Sequence, residues 1–572
     1  MREQSRPIRK VALGPRDVEV ERRPGGILHL RSPHRLRAFP DKITERLEYW
    51  ARVAPQRVLF AQRSGEGWRR LTYGTALERA RRVGQYLLSR DLSAERPLVV
   101  LSGNDIEHAL LHLGAMYVGV PYAPISPAYS LLSADFGKLR TIFELLTPGL
   151  VFVSDRELFR RALEAVVRCP VITQLEEPAA TKAVDEAHAR VGPDTIAKFL
   201  FTSGSTGTPK AVINTQRMWC ANQEMILSML PFFGDEPPVL VDWAPWHHTA
   251  AGNHDLGLVL YSGGSYYIDE GKPMPGAIEA TVRNLRDIAP TWYFNVPKGF
   301  EVLLPYLRSD SELRENFFSK LKVLWFAGAA LPQHVFDEMK QLAYSTCGEE
   351  IPFLTGFGAT ETAPATLARV WPAHNVANMG LPPPGADVKL VPLEDSFEMR
   401  VKGPHVTQGY WRQPELTAQA FDEEGYYRLG DAFAFEADEP RNGLLFAGRI
   451  AEDFKLSTGT FVHVGPLRAR FIEHFAPLVR DVVIAGEGRN EVGALLFLAE
   501  NASPQELAAR LRTLPSTGSS NRIARMLVLE EPPSLDGGEM TDKGSINQRA
   551  VLRRRAALVE ELYLGSDRVL RA

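Results

Sequence analysis

Short apolar runs separated by helical patterns recur along most of the sequence, and this alternation constrains the fold more than any other feature. The runs have the length of strands and lie at residues 98–101, 150–153, 199–201, 239–241 and 323–326. Strands that are apolar on both faces are typical of parallel sheets covered by helices. The alternation therefore predicts an α/β fold.

The chain has 572 residues, which is too long for a single core, because cores stop growing near ~250–300 residues. Residues 1–40 are rich in Arg and Pro and lack periodicity, so they predict an N-terminal arm. Residues 41–451 carry the α/β pattern, beginning with an amphipathic helix from Ile43. New strand and helix signals follow Gly448, and they predict a smaller α+β C-terminal domain over residues 452–572.

The composition argues against several classes of partner and compartment. There are 66 basic and 69 acidic residues, with a net charge of −3, so no nucleic-acid partner is expected. The three cysteines are far apart in sequence, which argues against a disulfide framework and predicts a reducing cytoplasm. The N-terminus lacks the apolar core of a secretory signal, and the apolar stretch 109–124 is interrupted by His112 and two glycines. We therefore expect no membrane span.

A run of hydroxyls and glycines follows the apolar strand at 199–201 and ends on a lysine. It reads Thr202-Ser203-Gly204-Ser205-Thr206-Gly207-Thr208-Pro209-Lys210. Glycines let backbone N–H groups converge on an anion, the hydroxyls add donors, and Lys210 adds positive charge. The run differs from the Walker loop, in which Ser or Thr follows the lysine. A flexible Ser/Gly linker is the alternative, but the preceding buried strand favours a triphosphate loop.

Residues 202–210 resemble the phosphate loop of the acyl-adenylate-forming superfamily, which includes acyl-CoA synthetases and peptide-synthetase adenylation domains. Four further segments match this superfamily in the same order along the chain, at residues 326–332, 355–362, 426–431 and 448–455. The resemblance implies a large adenylation domain, a mobile C-terminal lid domain, and the use of ATP, Mg²⁺ and coenzyme A.

The resemblance also assigns roles to residues in the large domain. In segment 355–362 it places Phe357 beside the adenine, Thr360 at the α-phosphate, and Glu361 as a ligand of Mg²⁺, which prefers hard carboxylate oxygens. In segment 326–332, small side chains allow close approach of the backbone to the adenine and the acid. The residues assigned there are Phe326, Ala327, Gly328 and Ala329. Each segment alone would also fit an ordinary turn between a strand and a helix.

Two segments near the domain boundary resemble ribose-binding and hinge elements. Asp431 would accept hydrogen bonds from both ribose hydroxyls, although Leu429 replaces the usual Thr of this motif. Arg449 would contact the ribose as well. Glu452 aligns with the hinge residue on which the lid pivots, and the adjacent Asp453 is the alternative.

The C-terminal segment departs from the superfamily at its adenylation lysine. Superfamily members carry Gly-Lys here, whereas this chain has Ser545 after Gly544, and its lysine, Lys543, lies two residues earlier. A positive charge at the reacting phosphate offsets the repulsion between two anions. We therefore expect Lys543 to replace the usual lysine. If Lys543 is a surface residue instead, adenylation would rely on Lys210, Mg²⁺ and Arg449.

The segment 243–254 resembles the superfamily element that gates the acid pocket, which places His248 in the active site. The histidines of this segment lack the spacing of a standard zinc site. Several segments, including 541–549, most resemble bacterial feruloyl-CoA synthetases, which implies a hydroxycinnamate such as ferulate, coumarate or caffeate. The predicted acid pocket, bounded by Trp246, Phe326 and Phe357, would suit a flat ring. A medium-chain fatty acid is the alternative substrate.

The expected acyl acceptor is free coenzyme A, because we recognise no carrier-protein domain after the predicted C-terminal domain. The expected activity is therefore that of an AMP-forming acid–CoA ligase acting on a small carboxylic acid. Three alternatives stay open: a fatty-acid or other aryl-CoA ligase, an acyl-AMP donor to a separate carrier protein, and a nucleotide-binding regulator without catalysis. The oligomeric state is open too, with a homodimer as one alternative.

Overall fold

The computed structural model describes residues 6–203, 208–373, 375–499, 502–542 and 544–572. Gly204, Ser205, Thr206, Gly207 and Lys543 lie outside the described residues, so their roles stay predictions.

The helices and strands alternate through the first half of the chain. In chain order they are β1 Glu19–Arg22, β2 Leu28–Arg31, α1 Thr44–Val53, β3 Val58–Ser64, β4 Gly67–Thr72, α2 Tyr73–Leu88, β5 Leu98–Leu101, α3 Ile106–Tyr117, β6 Tyr122–Pro124, α4 Ala128–Leu131, α5 Gly137–Leu146, β7 Leu150–Val153, α6 Arg160–Val166, β8 Val171–Ile172, α7 Lys182–Arg190, β9 Ile196–Ser203, β10 Pro209–Thr215, α8 Gln216–Met229, α9 Phe232–Asp235, β11 Val239–Asp242, α10 Leu256–Ser262, β12 Ser265–Ile268 and α11 Ile278–Asp287. A π-helix, Ala250–Asp255, runs directly into α10.

The second half becomes richer in strands and ends in the C-terminal domain. Its elements are β13 Trp292–Asn295, α12 Pro297–Ser309, α13 Ser311–Ser319, β14 Val323–Phe326, α14 Gln333–Cys347, β15 Phe353–Gly358, β16 Ala365–Arg369, β17 Asp387–Pro392, β18 Phe397–Lys402, α15 Pro414–Ala420, β19 Tyr427–Phe435, β20 Leu444–Arg449, β21 Phe454–Lys455, β22 Phe461–Val462, α16 Val464–Phe475, β23 Val479–Ala485, β24 Val492–Leu498, α17 Pro504–Thr513, β25 Ile523–Val528, α18 Gln548–Arg554, α19 Ala556–Leu564 and β26 Leu570–Arg571.

Parallel strands form the centre of the large domain. One sheet has the order β10-β9-β6-β5-β7-β8 and is parallel except for the antiparallel pair β9–β10. Two further sheets, β11-β12-β3-β4 and β13-β14-β15-β16, also combine parallel pairs with one antiparallel edge. All four residues of β5 are buried, as expected of a strand covered on both faces. The predicted α/β fold class is confirmed.

The N-terminal segment differs from the predicted arm, because part of it belongs to a sheet. Strands β1 and β2 form a hairpin, and β2 pairs with β17 at the edge of the antiparallel sheet β1-β2-β17-β18-β19-β20. Leu28 and Leu30 are buried there. Residues 19–31 are therefore part of the large domain. The two strands are too short for their alternation of apolar and polar residues to be recognised in the sequence.

The C-terminal domain has apolar cores of its own. One consists of side chains from Phe454 to Met526 between α16, α17 and the sheet β23-β24-β25-β26, and another packs α18 and α19 on the opposite face of that sheet. Among the described helices, none is long and apolar enough to cross a membrane. The described residues contain no cluster of three or more His, Cys, Asp or Glu arranged to hold a metal ion.

Candidate active site

The predicted phosphate loop joins the two strands of an antiparallel hairpin. Thr202 on β9 lies opposite Lys210 on β10, so the described part of the loop begins and ends side by side. A neighbouring segment holds β10 in place, since the Trp411 backbone N–H donates to the carbonyl of Ala211 at 2.8 Å. Lys210 Nζ lies 5.0 Å from the centre of the Tyr410 ring. This packing fixes the lysine at the base of the hairpin.

Glu361 lies next to this hairpin and takes part in a buried cluster of hydrogen-bonded side chains. It lies in a short 3₁₀ turn, Thr360–Thr362, and its residue is 7 % exposed. The Tyr410 hydroxyl donates to Glu361 Oε1 at 3.0 Å, and the Tyr427 hydroxyl lies 3.0 Å from that of Tyr410. Tyr410 therefore connects the predicted metal ligand to the predicted phosphate-binding lysine. A buried carboxylate beside a lysine and hydroxyls fits a divalent cation and phosphate oxygens.

The predicted adenine-binding residues lie at the carboxyl ends of two neighbouring parallel strands, with Phe357 at the penultimate position of β15 and Ala329 in the segment after β14. Strands β14 and β15 pair in parallel, so Ala327–Ala329 and the residues after Phe357 meet at the same edge. In open α/β sheets this edge is where ligands bind. Gly328 has φ +88°, a conformation that favours glycine, and Ala329 is exposed. Phe357 is half-buried and stacks on Phe446 with ring centres 5.7 Å apart.

Asp431 and Arg449 face one another across strands β19 and β20. They form a register pair, and Arg449 Nε lies 3.3 Å from Asp431 Oδ1. That buried oxygen has no partner with hydrogen-bonding geometry. Burial raises the pKa of Asp431 to about 6, although the charge of Arg449 acts to lower it. A buried carboxylate oxygen that lacks a donor is suited to accept a hydroxyl hydrogen bond from a ribose.

Nucleotide affinity is expected to depend on pH through Asp431. The ionised carboxylate is the form that accepts two hydroxyls, and protonation occurs as the pH falls through about 6. The dissociation constant of ATP should therefore be flat above pH 7 and rise by about tenfold per pH unit well below 6. Isothermal titration calorimetry between pH 5 and 8 measures this. The Asp431→Asn variant serves as the control for ionisation of ATP itself, and an equal slope in both proteins would contradict the assignment.

The two hinge candidates have different surroundings. Asp453 accepts hydrogen bonds from His463 Nδ1 and from the backbone N–H of Val464, both at 2.9 Å, so it caps α16 inside the C-terminal domain. His463 Nε2 also lies 2.8 Å from Asp395 of the large domain. Glu452 is mostly buried, and this burial raises its pKa. Because the Asp453 side chain is held by its hydrogen bonds at the start of α16, Glu452 is the better candidate for the pivot.

The predicted acid pocket is only partly supported, because two of its aromatic residues are core residues. Trp246 has no exposed surface, and its Nε1 donates to the Tyr266 hydroxyl at 3.1 Å. Phe326 has none either and packs edge-on against Phe353. In this conformation neither ring can line an open pocket. Ala327 and His248, which follow them in the chain, keep accessible surface.

The π-helix that follows His248 is held by a buried polar network. Lys198 Nζ donates to the carbonyl of Gly252 at 2.6 Å, and the Asn253 side chain donates to Asn214 and Thr249 at 2.9 and 3.0 Å. His254, in the same helix, is buried, which lowers its pKa to about 4. Widened turns of this kind are frequent at functional sites. Here the π-helix fixes the loop that carries the two adjacent histidines.

The C-terminal domain reaches this histidine loop through a residue that the sequence did not single out. Asp542 Oδ2 lies 3.1 Å from His247 Nε2. Ser545, at the position where the superfamily carries its lysine, is exposed. A cavity of about 370 Å³ lies nearby, between Thr208, the start of α5 and the C-terminal domain. The sequence analysis did not identify Tyr410 or Asp542 as site residues, although Asp542 lies in the segment 541–549 that resembles feruloyl-CoA synthetases.

The chain is similar to curated protein families and to individual curated proteins. A model of the AMP-binding enzyme family matches residues 47–411, and a model of the AMP-binding enzyme C-terminal domain matches residues 453–567. Carboxylic acid reductase of Segniliparus rugosus is 24% identical over 70% of this chain and 35% of its own length. Feruloyl-CoA synthase of Amycolatopsis is 30% identical over 43% of this chain and 49% of its own. The chain thus spans half or less of the length of these two relatives. It is also similar to 3-hydroxybenzoate–CoA ligase of Aromatoleum, which is 25% identical over 78% of this chain and 84% of its own length.

Solved structures agree on the fold. The o-succinylbenzoate coenzyme A synthetase of Bacillus subtilis in complex with AMP covers 90% of this chain with a TM-score of 0.70 and 16% identity, and 98% of that protein is matched. The A domain of the carboxylic acid reductase from Segniliparus rugosus, in complex with AMP and a co-purified carboxylic acid, covers 91% with a TM-score of 0.71 and 18% identity, and 94% of it is matched. The resemblance to the acyl-adenylate-forming superfamily is confirmed, and the chain belongs to the AMP-binding enzyme family.

Proposed function

We propose that the protein is an AMP-forming acid–CoA ligase that acts on a hydroxycinnamate. One observation carries this proposal: Glu361 is linked through Tyr410 to Lys210 of the phosphate hairpin and interacts electrostatically with Asp431 of the Asp431–Arg449 pair, while Asp542 of the C-terminal domain contacts His247. We infer that these groups line one crevice. The crevice thus offers groups for phosphate, metal and ribose beside a loop suited to an acid. Such a set is what transfer of an adenylyl group to a carboxylate requires.

In the first half-reaction, a carboxylate oxygen of the acid attacks the α-phosphorus of ATP. The bond between the α-phosphorus and the bridging oxygen breaks, pyrophosphate leaves, and an acyl-AMP mixed anhydride remains. Thr360 and Lys210 would hold the phosphates, while Asp431 and Arg449 would orient the ribose. Holding both reactants in place converts an encounter of two anions into an intramolecular step.

Positive charge is the second requirement of this step. Mg²⁺, when bound at Glu361, would supply charge that stabilises the phosphate oxygens. Lys543, which the chain carries in place of the usual lysine, would add a mobile cation at the α-phosphate. In the described part of the same segment, Ser545 is exposed and Asp542 is buried against the large domain, which favours the earlier position for the cation.

In the second half-reaction, the thiolate of coenzyme A attacks the carbonyl carbon of the acyl-AMP. The bond between that carbon and the AMP oxygen breaks, AMP leaves, and the thiol proton passes to solvent. We propose that the domain over residues 452–572 rotates about Glu452 between the half-reactions, so that one crevice serves both.

The hydroxycinnamate assignment rests on the sequence resemblance and on the surroundings of the acid loop. Two of the relatives reported above are named for aromatic acids, ferulate and 3-hydroxybenzoate. Phe357 and the small residues Ala327 and Gly328 would bound a flat ring, and His248, which keeps accessible surface, would offer a polar side chain to it. Other relatives are named for long-chain fatty acids, so a fatty acid is the competing substrate.

A substrate panel tests this proposal. Pyrophosphate release is followed with ATP, Mg²⁺ and ferulate, coumarate, caffeate, benzoates or fatty acids, each with and without coenzyme A. We expect kcat/KM for a hydroxycinnamate to exceed that for fatty acids by about 100-fold, because a pocket built for polar groups rejects analogues that lack them. Fast turnover with fatty acids would overturn the substrate. Release without any reaction of coenzyme A would favour a carrier-protein donor, and no release with any acid would favour a regulator.

A further inference from the structure

The segment from Leu535 to Asp542 fastens the C-terminal domain to the large domain at three points. Lys138 Nζ donates to the carbonyl of Leu535 at 2.9 Å. Asp536 accepts hydrogen bonds from the Ser133 hydroxyl at 2.6 Å and from the Ala134 backbone N–H at 2.8 Å. The third point is Asp542 at His247. The first two points lie at and just before the start of α5, whereas the third lies at the histidine loop.

Asp542 is buried in a pocket of the large domain that supplies several donors. Its side chain is 11% exposed, and that of His247 is 14% exposed. The hydroxyls of Tyr129 and Ser126 also lie close enough to Asp542 to interact with its carboxylate. Burial acts to raise the pKa of this carboxyl, but the hydrogen bond from His247 and the nearby imidazoles outweigh it and hold the pKa well below its usual range. The site therefore favours a charged carboxylate over a neutral one.

A tight turn determines which side of the segment faces the crevice. The Gly544 backbone N–H donates to the carbonyl of Thr541 at 3.0 Å, and the Thr541 N–H donates to the carbonyl of Ser545 at 2.9 Å. Gly544 has φ +84°, which favours glycine. The turn directs Asp542 inward and leaves Ser545 exposed. The residue in contact with the large domain is therefore the one that directly precedes the chain's lysine.

We propose that Asp542 is a positioning residue for acyl-AMP formation, which it serves by docking the C-terminal domain through His247. The inference rests on the proposed function. The contact joins the acid loop of one domain to the C-terminal segment of the other, so it exists only while the two are closed in this arrangement.

Loss of this contact is expected to slow the first half-reaction and to leave the second unchanged. Because a buried carboxylate and its partner stabilise one domain arrangement, their loss shifts the population toward others. Acyl-AMP formation, which needs the closed arrangement, should slow. The reaction of preformed acyl-AMP with coenzyme A needs the rotated arrangement, so its rate should not change. ATP is held by the large domain, so its KM should change little.

The Asp542→Asn variant tests this inference through the two half-reactions measured separately. We expect kcat for pyrophosphate release to fall about 10- to 100-fold while the KM for ATP stays within about threefold. Thioester formation from synthetic acyl-AMP and coenzyme A should keep its wild-type rate. Asp481→Asn is the matched control, since it removes a similarly buried carboxylate that pairs with Arg468 within the C-terminal domain, and it should leave both half-reactions unchanged.

A double-mutant cycle shows whether His247 is the residue through which Asp542 acts. If Asp542 acts through His247, the His247→Gln and double variants should be no slower in pyrophosphate release than Asp542→Asn alone. His247→Gln also tests the contact from the other domain should Asp542→Asn fail to fold. Equal losses in both half-reactions, additive effects, or no loss in either variant would overturn the inference. Absence of pyrophosphate release from the wild-type protein would instead contradict the proposed function, so the two failures are distinguishable.

Discussion

Replacing Glu361 by Gln is expected to slow acyl-AMP formation by about 100- to 1,000-fold. The substitution keeps the shape of the side chain and an oxygen that accepts the Tyr410 hydrogen bond, so the cluster at the phosphate hairpin should survive. It removes the negative charge that would hold Mg²⁺ beside the phosphates. Pyrophosphate release measured against Mg²⁺ concentration should show a lower kcat and a higher requirement for the ion.

Tyr410→Phe provides the matched control for this prediction. It removes the hydrogen bond to Glu361 but leaves the carboxylate in place, and it should cost about tenfold or less. Similar losses in Glu361→Gln and Tyr410→Phe, with an unchanged requirement for Mg²⁺, would mean that Glu361 supports the structure and does not bind the metal.

Replacing Lys543 by Ala is expected to lower the rate of the first half-reaction by a similar factor, about 100- to 1,000-fold, and to spare the second. The reason is the loss of the cation that offsets repulsion between the acid and the α-phosphate. Pyrophosphate release and thioester formation from synthetic acyl-AMP, measured separately, check the two parts of this expectation. An unimpaired variant would mean that Lys210, Arg449 and Mg²⁺ provide the charge.

A second substitution shows whether the lysine has shifted along the segment. Ser545→Lys in the Lys543→Ala background restores the superfamily pattern. Since Ser545 is exposed and lies on the outer side of the turn, this lysine should recover less than about a tenth of the lost rate. Full recovery would show that the segment can present either position to the α-phosphate and that the position of Lys543 is not specific.

The elements that the sequence predicted well are those with a strong local signal. The apolar run at 98–101 forms strand β5 as expected, and the helix that begins near Ile43 is α1. Asp105 caps the next helix by accepting from the His108 backbone N–H, whereas the neighbouring Asn104 donates to the carbonyl of Ala244. Both residue types suit a cap, and only tertiary contacts decide between neighbours.

The parts of the site that escaped prediction depend on contacts between distant segments. Trp246 was predicted as a wall of the acid pocket because of its neighbours in sequence, yet its ring points into the core toward Tyr266, whereas His247 meets Asp542 nearly 300 residues later in the chain. Motifs indicate which backbone segments meet the nucleotide. They do not indicate which side chains of a segment turn inward, because packing from other parts of the chain decides that.

Transfer of oxygen from the acid to AMP tests the central claim most directly. The protein is supplied with ATP, Mg²⁺, coenzyme A and a hydroxycinnamate labelled with ¹⁸O in its carboxylate, and the AMP produced is examined by mass spectrometry. Attack of the carboxylate on the α-phosphorus predicts that each AMP carries one ¹⁸O atom. Unlabelled AMP, or label in the pyrophosphate or phosphate released, would contradict an acyl-AMP intermediate.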